Sequence, residues 1–292
     1  MARVKDTSAE GRAFSIVVWV VMIFTILICL VPFIYMLALS LSSSKAIINN
    51  RVSLWPVGFN LEAYKQIFRY PNFFRAYGNT LFYTVAGTFI ALVMTICFAY
   101  PLSKSFLRGN GILRKMVIFS MFFAGGMIPN YLLVSSLHLT GTRWAMLLPF
   151  AINQFNLIIL MNFFRGLPSE IEEAALIDGI DYFRILPQIV LPLSTAAIAT
   201  IGLYYAVFFW NDWFNGLIYL NSRQYPVMLF LRNIVNGTMV VGDSSSASTD
   251  TASLSISIKS AVIITSTLPI IILYPFLQKY FVKGLTVGSV KG

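Results

Sequence analysis

The chain has 292 residues, of which 58% are hydrophobic and only 11% are charged, whereas soluble domains carry about 25% charged residues. This composition excludes most soluble folds, because too few polar side chains are available to cover a surface in water. Lysine and arginine outnumber aspartate and glutamate by 21 to 11, but they are scattered along the chain, which argues against a nucleic-acid-binding patch.

Six long segments contain no charged residue and therefore predict six membrane-spanning helices. Each is long enough to cross the hydrocarbon core of a bilayer, which takes about 17 to 25 helical residues. In chain order the segments are 14–41, 76–103, 116–137, 144–164, 188–211 and 260–278. We therefore expect an all-α membrane protein whose transmembrane domain covers residues 14–278.

The distribution of basic residues predicts the orientation of this domain. An even number of spans leaves both termini on one side. If that side is the cytoplasm, 12 of the 21 lysines and arginines lie in 62 cytoplasmic loop positions, against 9 in 88 external positions. An excess of positive charge is typical of cytoplasmic loops. We expect a cytoplasmic N-terminus at 1–13, a cytoplasmic loop at 165–187, a cytoplasmic C-terminal tail at 279–292, and large external loops at 42–75 and 212–259.

The two large external loops differ in composition. The first predicts a short helix near residues 61–68, closed by Pro71 and lying at the membrane interface through the aromatic anchors Trp55, Tyr64 and Phe68. The second contains the sequence GDSSSASTDTAS over residues 242–253. Such a segment cannot bury enough apolar surface to fold alone, so it is either a plain linker or a contact for a soluble partner.

Three polar side chains lie in the middle of the fourth charge-free segment. Asn153, Gln154 and Asn156 fall at its centre, where polar groups need either a hydrogen-bonding partner or a wet cavity. On a continuous helix Asn153 and Asn156 would share one face. Two interpretations stay open: hydrogen bonds to a neighbouring helix, or a translocation path whose amides bind substrate hydroxyls.

The fifth segment ends in a cluster of aromatic and polar side chains. The cluster comprises Tyr204, Tyr205, Phe208, Phe209, Trp210, Asn211, Asp212 and Trp213. Aromatic faces beside amide or carboxylate groups suit sugars, which present apolar C–H faces and hydroxyl rims. A membrane-interface aromatic belt produces a similar cluster. As translocation-path candidates we take Tyr204, Trp210, Asn211 and Asp212.

Nearly half of the acidic residues lie in one short cytoplasmic segment. They are Glu170, Glu172, Glu173, Asp178 and Asp181, five of the 11 in the chain. Pro168 suits the first turn of a helix that these acids favour. Gly179 can end that helix in a left-handed conformation, and Asp181 can cap a second helix that ends before Pro187. The segment predicts two short helices joined by a sharp turn, either a docking element or an amphipathic connector.

The segment EEAALIDGIDYFRILPQIVLP, residues 172–192, resembles the EAA loop of ABC-importer permeases. That loop has EAA, then a glycine, then an I-x-L-P ending, and the matching positions are Glu173, Ala174, Ala175, Gly179, Ile189, Leu191 and Pro192. Residues 55–68, 208–214 and 283–292 look like the carbohydrate branch of this family, in particular its smaller maltose-type permease. FFAGGMIPNYLL, residues 122–133, is similar to the subgroup that imports complex oligosaccharides, including alginate fragments.

The resemblance implies a fold, a mechanism and partners. It implies the type I ABC importer permease fold in the bacterial inner membrane, paired with a second permease subunit. It also implies two cytoplasmic ATPase subunits that bind ATP and Mg²⁺, and an external sugar-binding protein. The C-terminal tail would reach the ATPase dimer. ATPase-coupling residues would come from the acidic segment: Glu170, Glu172, Glu173, Ala174, Ala175, Asp178 and Gly179.

Several function classes are excluded or disfavoured by what the sequence lacks. No G-x-x-x-x-G-K-[ST] pattern occurs, so the chain cannot hydrolyse ATP itself. His138 is the single histidine and has no carboxylate or cysteine at ligand spacing, so neither a metal site nor a nucleophilic triad is predicted. The remaining alternative is an ion-driven secondary transporter or channel, which usually keeps an ionisable residue inside a span; the charge-free segments argue against it.

Overall fold

The computed structural model describes residues 9–70, 72–236 and 256–272, and in this part of the chain every regular element is helical. Short 3₁₀ turns cover Arg143–Met146 and Ser222–Gln224, and a π-helical turn covers Leu186–Val190. The α-helices are α1 Ala9–Ser40, α2 Ser44–Ile48, α3 Glu62–Arg69, α4 Phe73–Ser103, α5 Asn110–Phe122, α6 Met127–Ser136, α7 Gln154–Arg165, α8 Ser169–Ile177, α9 Tyr182–Ile185, α10 Leu191–Leu193, α11 Thr195–Asn211, α12 Phe214–Tyr219, α13 Val227–Val235 and α14 Ile256–Ile272.

Two helices, α1 and α4, are each long enough to cross a membrane. They contain 32 and 31 residues, and at about 1.5 Å of rise per residue each exceeds the roughly 30 Å thickness of the hydrocarbon core. They match the first two predicted spans. No residue in the most apolar stretch of α1 is buried, so its side chains are available to lipid or to a partner helix.

Two of the predicted spans are sharply bent. The segment 116–137 is divided into α5 and α6, whose axes differ by 113°. Gly126 between them has a φ of +88°, a backbone conformation that glycine alone adopts readily. The segment 188–211 is likewise divided at Ser194, where the helical stretch 182–193 meets α11 at 84°. Freedom from charge thus identified apolar segments correctly but did not report where the backbone turns.

The fourth predicted span, 144–164, is not one continuous helix, so that expectation is wrong. The segment starts with a 3₁₀ turn, and α7 begins only at Gln154. Pro149 disfavours helical geometry in the residue before it, and Asn153 acts as the N-cap of α7 by accepting a hydrogen bond from the Asn156 N–H at 3.1 Å. Asn153 and Asn156 therefore do not share a helix face.

The number of membrane spans follows only in part from these helices. Among the described residues, two single helices could cross a membrane, or four if each bent pair forms one span. The helix α14 is apolar but has 17 residues. The count of six therefore stays a prediction, as do the boundaries of the loops between the spans.

The chain divides into two compact units, and the first comprises residues 1–70 and 234–267. Its described part folds the loop after α1 back on the end of that helix. The backbone N–H of Ser43 donates to the Val57 carbonyl at 3.1 Å, and the N–H of Asn60 donates to the Leu41 carbonyl at 2.9 Å. The predicted helix near 61–68 is α3.

The side chains of this loop divide between internal contacts and exposed surface. On α3, the Tyr64 hydroxyl lies 2.8 Å from the Ser40 hydroxyl. Trp55 and Phe68 are exposed, as interfacial anchors would be. Pro71 and the serine-rich segment 242–253 lie outside the described residues.

The second unit comprises residues 71–233 and 268–292, and α4, α7 and α11 pack together in its core. Gly87 on α4 permits a close approach, because a Cβ there would lie 2.7 Å from the ring of Phe209 on α11. At the start of α4, side chains of Asn79, Thr80 and Tyr83 bond backbone groups of residues 223–227 over 2.7 to 3.3 Å. Buried members of the core include Ala91, Ala99, Leu157, Leu160, Phe164, Ile201, Tyr205 and Phe209.

Candidate functional site

A cavity of about 500 Å³ lies beside the start of α7 and the middle of α11. Four of the predicted path residues line it: Asn153, Gln154, Asn156 and Tyr204. The remaining lining residues are Pro149, Phe150, Ile152, Phe155, Tyr205 and Phe208. A cavity of this size with aromatic walls and a few amide groups has the composition of a small-molecule site.

The buried hydroxyl of Tyr205 joins three elements at this cavity. It accepts a hydrogen bond from the Asn153 backbone N–H at 2.9 Å and lies 2.7 Å from the Thr95 hydroxyl on α4. The same hydroxyl therefore fixes the N-cap of α7 to both α4 and α11. Sequence reasoning placed Tyr205 in the aromatic cluster but not in the path. The sequence alone does not show which of the adjacent residues Tyr204 and Tyr205 has the buried side chain.

The other predicted path residues do not line this cavity. Trp210 is buried and packs edge-on against the Tyr77 ring, with centroids 6.0 Å apart. The amide of Asn211 donates back to the Val207 carbonyl at 2.9 Å, within α11. These two residues therefore stabilise the end of α11 in this structure.

Asp212 also has a structural environment. Its carboxylate accepts hydrogen bonds from the backbone N–H and the side-chain amide of Asn215, at 3.1 and 2.9 Å. Burial raises the pKa of Asp212, and the two bonds from Asn215 partly offset that rise. The residue shapes the turn between α11 and α12.

A second cavity adjoins the first. It measures about 390 Å³ and lies between α6 and α12. Pro149 and Phe150 line both cavities, and the second adds the amides of Asn130 and Asn215 together with the Tyr219 ring. The two cavities therefore share a wall built from the non-helical segment before α7, which the prediction of a continuous helix had missed.

The acidic segment forms the predicted helix pair. Glu170 and Glu172 lie in the first turn of α8, where carboxylates are favoured by the helix dipole. Gly179 has a φ of +83° and follows the end of that helix. Asp181 caps α9 by accepting a hydrogen bond from the Arg184 N–H at 2.9 Å. These features match the sequence prediction.

The second helix does not end before Pro187, and that expectation is wrong. The helix continues through the π-helical turn Leu186–Val190 and α10 as far as Leu193. The wider π turn accommodates a residue that lacks an N–H and whose ring would otherwise clash with a carbonyl of the preceding turn. The acidic segment is consequently continuous with the apolar helix that meets α11 at the bend.

The predicted coupling residues do not all face outward. Glu170, Glu173, Ala174, Asp178 and Gly179 are exposed. Ala175 is buried against the core that contains Phe164, so it lets α8 approach the core closely and presents no surface to a partner. Glu172 is also turned inward, where it forms an ion pair with Lys104. Both were predicted as ATPase-coupling residues, and the structure turns both side chains toward the rest of the permease.

Two apolar side chains of this segment are exposed and were missed. Ile177 at the end of α8 is 87% exposed, and Phe183 on α9 is 92% exposed. Exposed apolar patches can mark protein–protein interaction sites. In the sequence, Ile177 precedes Asp178 and Phe183 follows Asp181 in a loop predicted to be cytoplasmic, but this order does not show which apolar side chains of the loop are exposed.

The chain is similar to known proteins over more than nine-tenths of its length, although no protein-family model matches it. It is 45% identical over 270 residues to Protein LplC of Bacillus subtilis, covering 91% of this chain and 90% of that protein. It is 41% identical over 285 residues to the polygalacturonan/rhamnogalacturonan transport system permease protein YtcP of Bacillus subtilis, covering 97% and 100%. Among solved structures, a chain of a bacterial ABC transporter involved in the import of the acidic polysaccharide alginate has a TM-score of 0.85 at 34% identity, covering 94% and 98%.

Proposed function

The chain belongs to the integral-membrane permease subunits of sugar-importing ABC transporters, and from this premise we propose that it is one half of a permease heterodimer. In the proposed assembly, an extracytoplasmic binding protein delivers an oligosaccharide. Two cytoplasmic ATPase subunits bind ATP and Mg²⁺ and supply the energy. The permease itself catalyses no reaction. An ion-driven transporter is not favoured, because the relatives are transport-system permeases of ABC type.

The observation that carries the proposal is the exposure of Ile177 and Phe183 beside the turn between α8 and α9. In the proposed topology this segment is cytoplasmic, so lipid cannot cover these side chains. Exposed carboxylates of Glu173 and Asp178 lie on the same segment. Apolar side chains beside acids suit a partner cleft with an apolar floor and a basic rim. We call Glu170, Glu173, Ala174, Ile177, Asp178 and Phe183 the coupling surface.

The proposed orientation places both termini in the cytoplasm. Residues 1–13, the coupling loop 165–187 and the tail 279–292 are then cytoplasmic, and 42–75 and 212–259 are external. The excess of lysine and arginine in the cytoplasmic segments supports this assignment. The tail, including 284–292 proposed to reach the ATPase subunits, lies outside the described residues.

The proposed substrate is an acidic oligosaccharide. A relative of 41% identity is named for polygalacturonan and rhamnogalacturonan, and a solved relative for alginate. Charge supports the same class: Arg75, Arg143 and Arg223 are exposed, and they lie in 42–75, 138–143 and 212–259, the segments proposed to be external. Residues 212–236 include one acidic residue, Asp212, and its side chain is buried. Exposed arginines attract carboxylates and accelerate their encounter with the protein.

The proposed path runs through the two adjoining cavities. Asn153, Gln154 and Tyr204 line the larger one, and Asn130 lines the smaller one. Amides and a phenol can hydrogen-bond sugar hydroxyls, and Phe150 and Phe208 offer faces to C–H surfaces. Trp210, Asn211 and Asp212 then act indirectly, by fixing the end of α11.

The coupling claim is tested in the complete transporter, purified through a tag on this chain. We expect combined Ile177→Ala and Phe183→Ala to lower both the ATPase retained with the permease and ATP-driven sugar uptake. The matched control is Ile112→Ala, since Ile112 is 67% exposed on α5 outside the coupling surface. Full ATPase retention and full uptake in the double variant would contradict the coupling claim.

The substrate claim is tested separately, by uptake of acidic and neutral oligosaccharides of equal length. We expect preferential uptake of the acidic sugar, and a preference that declines as salt is added, because salt screens exposed charges. Equal uptake of the two sugars at low salt would contradict the assignment of an acidic substrate while leaving the ABC importer function intact.

A further inference from the structure

Lys104 and Glu172 form a largely dehydrated ion pair between a membrane helix and the coupling helix. Lys104 follows the last residue of α4, and its ammonium contacts both carboxylate oxygens of Glu172 on α8. Their side chains are only 15% and 12% exposed. The Lys104 ammonium also lies 4.7 Å from the centroid of the Tyr100 ring. A pair so shielded from water is screened far less than a surface pair.

The Lys104 end of this pair is held in place by α5. The carbonyls of Leu102 and Lys104 at the end of α4 have no partner within that helix, as at any helix C-terminus. The side-chain amide of Asn110 donates to both carbonyls. Arg114 donates to the Leu102 carbonyl through Nε at 2.9 Å and Nη2 at 2.6 Å. The backbone that carries Lys104 is therefore fixed by two side chains of a third helix.

The Glu172 end lies on the inner side of the helix that carries the coupling surface. Its neighbour Glu173 is exposed, while Ala175 on the same helix is packed in the core. Two consecutive acids of α8 thus have different environments. Glu172 holds α8 to the body of the permease, whereas Glu173 is available to a partner.

We propose that the Lys104–Glu172 ion pair transmits displacement of the coupling helix to α4 and so to the substrate cavity. The inference rests on the proposed function. A movement of α8 imposed by an ATPase subunit would move Glu172, and the ion pair would draw the end of α4 with it. Further along α4, Thr95 contacts the Tyr205 hydroxyl, which in turn holds the N-cap of α7 at the cavity. Lys104 and Glu172 are positioning residues in this account and touch no substrate.

The test uses the complete transporter in proteoliposomes and measures sugar transported per ATP hydrolysed. Lys104→Gln and Glu172→Gln each remove one charge with little change in size. We expect each variant to keep its ATPase subunits and to hydrolyse ATP, but to transport about 2- to 30-fold less sugar per ATP, the range that coupling changes of this kind span. Arg108→Gln is the matched control, because Arg108 is exposed in the loop that follows Lys104.

The decisive variant is the charge exchange, Lys104→Glu with Glu172→Lys. We expect it to restore the sugar-to-ATP ratio to near the wild-type value. If the single variants do not assemble with their partner subunits, the assembled exchange variant alone tests the proposal, because it keeps an ion pair between the two positions. The proposal would be overturned if the single variants kept the wild-type sugar-to-ATP ratio, including the case in which ATP hydrolysis and uptake fall in equal proportion. It would also be overturned if the exchange variant had a reduced ratio. Wild-type uptake that does not require ATP would instead overturn the proposed function.

Discussion

Replacement of Tyr205 by phenylalanine removes the hydroxyl that joins the cavity wall to two membrane helices. The ring itself keeps its place in the core, so the change is confined to two polar contacts. These are the bond from the Asn153 N–H at 2.9 Å and the contact with the Thr95 hydroxyl at 2.7 Å. The substitution therefore isolates the contribution of one buried oxygen atom.

The expected cost follows from what each former partner can do next. The Thr95 hydroxyl can turn to a carbonyl of its own helix one turn earlier, so its loss is partly recovered. The Asn153 N–H has no such alternative in its own segment, and an unsatisfied donor costs about 1 to 3 kcal/mol. We therefore expect Tyr205→Phe to lower the free energy of unfolding by about 1 to 2 kcal/mol, toward the lower end of that range because hydrogen bonds inside membrane proteins are weak on average.

Two assays separate the stability effect from the effect on transport. Thermal unfolding of the purified transporter reports the first, and the concentration dependence of ATP-driven uptake reports the second. We expect a raised KM for the sugar, because Asn153 is no longer held at the cavity. The matched control is Tyr204→Phe at the adjacent position, which is partly exposed at the cavity wall. We expect it to raise the KM without lowering stability.

The reasoning would be refuted by a Tyr205→Phe variant as stable as the wild type with an unchanged KM. It would also be refuted if Tyr204→Phe and Tyr205→Phe destabilised the protein equally. Either result would mean that the hydroxyl of Tyr205 does not hold the N-cap of α7.

Two further predictions concern packing and protonation. Gly87→Ala should destabilise the protein by about 1 to 3 kcal/mol through overpacking, because the new Cβ would lie 2.7 Å from the Phe209 ring. In the control variant Gly78→Ala, on the same helix, the new Cβ meets no atom within 4 Å, so this variant should be neutral or slightly stabilised. Equal melting temperatures for the two variants would contradict the packing argument. Burial raises the pKa of Asp212 above its ordinary value of 3.8, so its protonated form is favoured on folding, and its contribution to stability is present at low pH and lost as the pH rises through the raised pKa. As the pH rises, the melting temperature should fall less steeply for Asp212→Asn than for the wild type. Parallel curves of melting temperature against pH would contradict the raised pKa of Asp212.

Much of the fold could be predicted from the sequence where composition alone decides the outcome. Long charge-free segments correctly indicated α1 and α4, because a helix satisfies its own backbone polar groups across lipid. Caps were also predictable: Gly179 adopts the positive φ and Asp181 accepts the N-cap bond. These signals are local, so one residue and its immediate neighbours contain the information.

The interruptions of the apolar segments were not predictable from the absence of charge. Pro149, Gly126 and Ser194 lie at or near breaks in segments that look uniform by composition. Whether such a residue bends a helix depends on what packs around it. The same limit explains Pro187, which lies inside a π-helical turn and does not end the helix.

The candidate site residues could likewise be predicted where neighbouring sequence was enough, and not where contacts between distant residues decide the outcome. Polarity in an apolar segment drew attention to Asn153, Gln154 and Asn156, and the structure places all three around one cavity. It could not reveal that Trp210 packs on Tyr77 or that Glu172 is paired with Lys104, because those contacts join residues far apart in the chain. In the coupling segment, the exposure of Ile177 and Phe183 likewise became evident only once the direction of each helix face was known.

The central claim is that a partner ATPase drives sugar movement through this chain, and uptake into proteoliposomes tests it most directly. The complete transporter is reconstituted with ATP inside the vesicles, and the loaded binding protein is supplied outside. We predict sugar uptake that requires ATP hydrolysis, that stops with a non-hydrolysable ATP analogue, and that is lowered by Ile177→Ala and Phe183→Ala combined. Uptake driven by an ion gradient without ATP would contradict the account.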